Sequence, residues 1–96
     1  MQIIALKKIE DCLSGRNVWD LYLNNIIDAD FIKKIENLGN FIMHQFKPKP
    51  FFKLIVRSQY TIKGSIGNRT VRLILPDDAT ISERDNIIAI LNEKLS

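Results

Sequence analysis

At 96 residues the chain can build one modest hydrophobic core but not two, so residues 1–96 read as a single small domain. Its 46% hydrophobic and 26% charged side chains, with three prolines, exclude a disordered or low-complexity chain. The net charge of +3 is segregated: residues 41–76 hold seven basic side chains and no acidic one, while residues 1–40 carry −1 and residues 77–96 carry −3.

The first segment, residues 2–13, spaces Ile3, Leu6, Ile9 and Leu13 as a helix would, with Gly15 placed to end it. An edge strand starting at Gln2 is the alternative, because Ile3 and Ile4 would suit one. In residues 18–27, Trp19, Leu21 and Leu23 alternate with Asp20, Tyr22 and Asn24, which favours a half-buried strand over a helix grouping Val18, Tyr22 and Ile26. Asp28 and Asp30 then precede Phe31, Ile32, Ile35 and Leu38, a capped amphipathic helix that Gly39 should close. Residues 41–46 are read as a short strand, with continuation of the helix as the alternative.

Pro48 and Pro50 mark a connector into the central feature, a hairpin over about residues 51–75. Read as one strand, residues 51–63 put Phe52, Leu54, Val56, Tyr60 and Ile62 on a core face. Lys53, Ile55, Arg57, Gln59, Thr61 and Lys63 fall on the other. With Gly67-Asn68 as the turn, Val71, Leu73 and Leu75 join the core, while Arg72 and Ile74 join the basic face. That register sets Lys63 directly opposite Arg72, a like-charge pair; a wider loop, Ser65 to Asn68, keeps the same parity and pairs Ile62 with Val71 instead. Residues 80–83, Thr-Ile-Ser-Glu, have the spacing of a capping box for a last helix that buries Ile87, Ile88, Leu91 and Leu95. The expected fold class is α+β: a small antiparallel sheet of three to four strands with two to three helices packed on one face.

Reactive groups are sparse. Cys12 and His44 are the only cysteine and histidine, and no motif surrounds either. A small buried thiol and a surface or satisfied imidazole explain them better than a nucleophile pair, and a Cys/His metal site lacks ligands. Asp28 with Asp30, and Asp77 with Asp78, stand at predicted helix starts, where capping accounts for them. The expectation is therefore no enzyme, no cofactor and no metal. A lone cysteine, an N-terminus whose apolar run precedes its charges, and the lack of any apolar run near about 18 residues point to a cytoplasmic protein with no membrane contact.

What stands out is the basic face. Lys53, Arg57, Lys63 and Arg72 project from it together with Ile55 and Ile74, and apolar centres rimmed by cations suit protein interfaces. These six residues are the expected contacts for an acidic protein partner or for a second copy of the chain. Nucleic acid is the alternative: about four phosphate contacts would give a salt-sensitive, non-specific Kd of roughly 10⁻⁴ to 10⁻⁶ M. A solvated sheet face, kept soluble by its lysines, requires neither.

Overall fold

The computed structural model describes residues 1–10, 17–45 and 49–96. Among them, six strands form one open antiparallel sheet: β1 (Ile3–Lys8), β2 (Val18–Leu23), β3 (Asn40–His44), β4 (Phe51–Val56), β5 (Tyr60–Ser65) and β6 (Thr70–Ile74). They lie in the order β1-β2-β6-β5-β4-β3. Two α-helices, α1 (Ala29–Ile35) and α2 (Ile81–Leu95), and a short 3₁₀ turn (Glu36–Leu38) complete the described structure.

This corrects the expected three to four strands and two to three helices, for two local reasons. First, residues 3–8 are a strand rather than a helix. β1 has a bulge between Ile3 and Ala5, so that Ile3 faces Leu23 and Leu6 faces Leu21. Both side chains therefore lie on one face of the sheet at a three-residue spacing, which imitates helical periodicity. The glycine expected to stop that helix, Gly15, lies outside the described residues. Second, residues 51–63 are two strands. The Gln59 N–H donates to the Val56 carbonyl at 3.0 Å, and Ser58 takes φ 65°, closing a tight turn over Arg57-Ser58-Gln59. No glycine or proline announces that turn. Because Val56 faces Tyr60 across it, the core parity of the two halves is kept.

The strands expected within residues 18–27 and 41–46 are present as β2, which ends at Leu23, and β3, which starts at Asn40 and ends at His44; Phe46 lies outside the described residues. Of the two registers open to the second hairpin, the structure has the one with Ile62 opposite Leu73 and Lys63 opposite Arg72. Its turn, however, is not Gly67-Asn68: the Asn68 N–H donates to the Ser65 carbonyl at 3.2 Å, which centres the turn on Ile66-Gly67 and places Gly67 at φ 90°. The loop is pinned to the segment after β2: Gly67 N–H donates to the Ile27 carbonyl, and Ile27 N–H to the Asn68 carbonyl, each at 2.8 Å.

Asp28 caps α1, its Oδ1 accepting from the Phe31 N–H at 2.9 Å, and Thr80 Oγ1 accepts from the Glu83 N–H at 3.1 Å to cap α2. Gly39, however, is not a left-handed helix cap. α1 gives way to the 3₁₀ turn at Glu36, and Gly39 is extended at φ −172°. It has no side chain because a Cβ there would run into the Ile55 carbonyl oxygen.

Both helices lie on the same face. Phe31, Ile32 and Ile35 of α1 and Ile87, Leu91 and Leu95 of α2 are buried in one cluster with Leu21, Leu23, Phe52, Leu54, Tyr60, Ile62, Val71, Leu73 and Leu75. Each fully buried Leu, Ile or Phe contributes about 1.5–3 kcal/mol, so this cluster is the main stabilising element. Phe52 is its centre, with ring centroids 6.0 Å from Phe31 and 5.7 Å from Phe41. No helix among the described residues is long and apolar enough to cross a membrane.

Candidate functional site: the face opposite the helices

Because facing residues of antiparallel strands share a side, the sheet's second face can be assembled from its registers. Its middle row crosses all six strands: Ile42, Lys53, Lys63, Arg72, Asp20 and Lys7, each directly opposite the next. On one side runs Asn40, Ile55, Thr61, Ile74 and Val18. On the other side lie His44 and Phe51, opposite one another, and Tyr22 opposite Thr70.

Three cations therefore stand on three consecutive strands at a spacing of about 4.8 Å. Among the described residues only Arg72 is answered: its Nε donates to Asp20 Oδ1 at 3.1 Å. No salt bridge among the described residues includes Lys53 or Lys63. Like charges set directly opposite each other destabilise a sheet by a few tenths to about 1 kcal/mol per pair. The row thus holds positive potential at some cost in stability, and it is partly screened because the side chains are half-buried rather than enclosed.

The apolar component is real but divided. Ile55 and Ile74 are half-buried and two strands apart, with Thr61 between them. Val18, beside Ile74, is fully buried yet stands outside the helix-side cluster. Two aromatic side chains are exposed in the third row, Phe51 at 37% and Tyr22 at 36%. Phe51 stacks on His44 with centroids 4.6 Å apart. Between the cations and Phe51 lies a shallow depression of about 340 Å³, lined by Asp20, Lys63, Arg72, Phe51, Ser65 and Thr70.

Of the six expected contact residues, five are on this face: Lys53, Lys63 and Arg72 in one row, Ile55 and Ile74 in the next. Arg57 is not. It sits exposed in the β4–β5 turn, so the expectation that it shares the face is corrected. Asp20, Lys7 and Ile42 are site neighbours that the sequence reading missed. Asp20 had the right alternation for the outer face of β2, but only the pairing of β2 with β6 brings it to Arg72.

Asp28 is a cap and Asp30 pairs with Lys34 at 3.2 Å. Asp77 and Asp78 precede the true cap, Thr80, in a turn closed by the Ala79 N–H on the Pro76 carbonyl at 3.0 Å, which corrects their expected capping role. Among the described residues no group of three or more His, Cys, Asp or Glu is arranged to hold a metal ion. Cys12 lies outside the described residues. A second depression, of about 350 Å³, lies on the helix side near Trp19, whose ring carries the Arg84 guanidinium 4.5 Å from its centroid.

No family model, curated protein or solved structure matches this chain.

Proposed function

We propose that the chain is a small non-enzymatic binding protein that uses the sheet face opposite its helices to hold an acidic segment of a protein partner. The observation that carries this reading is the middle row, in which four cations, Lys53, Lys63, Arg72 and Lys7, share one carboxylate, Asp20. Partner carboxylates seated over Lys53 and Lys63 would relieve their mutual repulsion, while apolar partner residues would cover Ile55 and Ile74. Asp20 lowers the net charge of the row, so the face suits a mixed acidic and apolar surface better than a bare polyanion.

A second reading rests on Phe51 and Tyr22. Exposed rings beside cations can stack bases of single-stranded nucleic acid. The two readings separate in a titration followed by amide chemical shifts. One ligand is a synthetic peptide of alternating Glu and Leu, and the other is a mixed-sequence single-stranded oligonucleotide, both at about 150 mM salt. The peptide is expected to shift Lys53, Ile55, Lys63, Arg72 and Ile74, and to lose those shifts in a Lys53→Glu/Lys63→Glu double variant. Shifts caused only by the oligonucleotide, falling steeply with salt, would replace the first reading by the second. Shifts from neither ligand on this face would remove both.

A further inference from the structure

The open sheet has two edges, β1 and β3, and they are built differently. β1 is guarded. It carries a bulge between Ile3 and Ala5 and ends in Lys7 and Lys8, features that keep a sheet edge from pairing with another chain. β3 has no such guard. Its residues Asn40-Phe41-Ile42-Met43-His44 include no lysine, arginine, carboxylate or proline, and its register with β4 runs without a bulge. Among the described residues no strand lies on its outer side.

The sequence of β3 also fits its own copy. In an antiparallel pair centred on Ile42, Ile42 faces Ile42, Phe41 faces Met43, and Asn40 faces His44. Phe41 and Met43 lie on the helix side of the sheet, where both pack against the core. Ile42, Asn40 and His44 lie on the opposite side. The pairing matches apolar with apolar and polar with polar on both faces, and it opposes no two like charges.

We propose that two copies of the chain associate through β3, antiparallel and centred on Ile42, to form one continuous sheet of twelve strands among their described residues. The occupant is a second copy because the twofold pairing matches residues on both faces and brings no two like charges together. The charge geometry allows it. Ile42 neighbours Lys53 in the middle row, so the two Lys53 side chains are separated by three strand spacings, about 14 Å. That exceeds the Debye length of about 8 Å at physiological salt, so their repulsion is screened. The cationic rows of the two copies then become collinear across the twofold axis. The pairing goes beyond the proposed binding function and does not depend on it.

A five-residue ladder makes a small interface, so the association is expected to be weak, with a Kd of about 10 µM to 1 mM. Sedimentation equilibrium should show a concentration-dependent dimer. Ile42→Lys and Ile42→Glu should each raise the Kd at least about tenfold, and an equimolar mixture of the two variants should restore association. On the wild-type chain, amide exchange at Phe41, Ile42 and Met43 should slow as concentration rises, a measurement that needs no variant. A strict monomer at about 1 mM overturns the proposal. So does a dimer that both Ile42 variants leave intact, or one whose exchange protection falls outside β3. Failure here leaves peptide binding on the sheet face unaffected, so the two proposals are judged separately.

Discussion

Tyr60 is 5% exposed at the start of β5, and burial raises its phenol above the ordinary value of 10.0. The folded state therefore keeps a proton that the unfolded chain begins to release near that value. The stabilisation is complete below pH 10.0 and declines as pH rises towards the folded value. In urea titrations at pH 8 and pH 11, wild type should lose more stability across this interval than Tyr60→Phe does, and equal losses would show that the phenol is not held neutral by the fold. Asn17 acts by bonds rather than by charge. Its Nδ2 donates to the carbonyls of Pro76 and Ala79 at 3.2 and 3.1 Å, and its Oδ1 accepts from Trp19 Nε1 at 2.8 Å. One side chain thus ties the start of β2 to the loop leading into α2. Asn17→Ala should cost about 1–3 kcal/mol in denaturant unfolding, and Asn17→Asp should not rescue it, because aspartate lacks the donors.

Between the elements, what could be read from the sequence depended on whether a local signal existed. Core parity narrowed the β5–β6 hairpin to two registers but could not choose between them, whereas α2 followed from its Thr80 cap and apolar spacing. By contrast, Arg57-Ser58-Gln59 turns the chain without a glycine or proline, so that one expected strand is two and Arg57 stands in the turn rather than on a strand. β1 stood only as the alternative to a helix, because a bulge converts alternation into a helical spacing. The strand order was not legible at all, since pairing β2 with β6 joins residues some fifty positions apart and leaves no local mark. The element most dependent on packing is α2, which has exposed Ile81 and Ile90 and is anchored by Ile87, Leu91 and Leu95. Leu91 is 3% exposed, so Leu91→Ala should destabilise by about 2–5 kcal/mol in urea unfolding. A loss below about 0.5 kcal/mol would mean that the helix is not seated on the sheet as described.

Among the described residues all the helical cover lies on one side of the sheet, and the segment richest in positive charge forms most of the other. Residues 41–76 supply Lys53, Lys63 and Arg72 to a single row, while the compensating carboxylate comes from β2, a strand outside that segment. Selection for stability alone would not leave Lys63 facing a cation on each side, Lys53 across one ladder and Arg72 across the next. Threonine is at home in strands and would relieve both repulsions. Lys63→Thr should therefore raise stability by about 0.5–1 kcal/mol at low salt, and the gain should shrink in about 1 M salt, where charges are screened within about 3 Å. The same substitution should weaken binding of the Glu/Leu peptide. A gain in stability joined to a loss of binding is the signature of a residue retained for its ligand. Unchanged stability at low salt would mean that the row is not electrostatically strained, and the main support for an acidic partner would be lost with it.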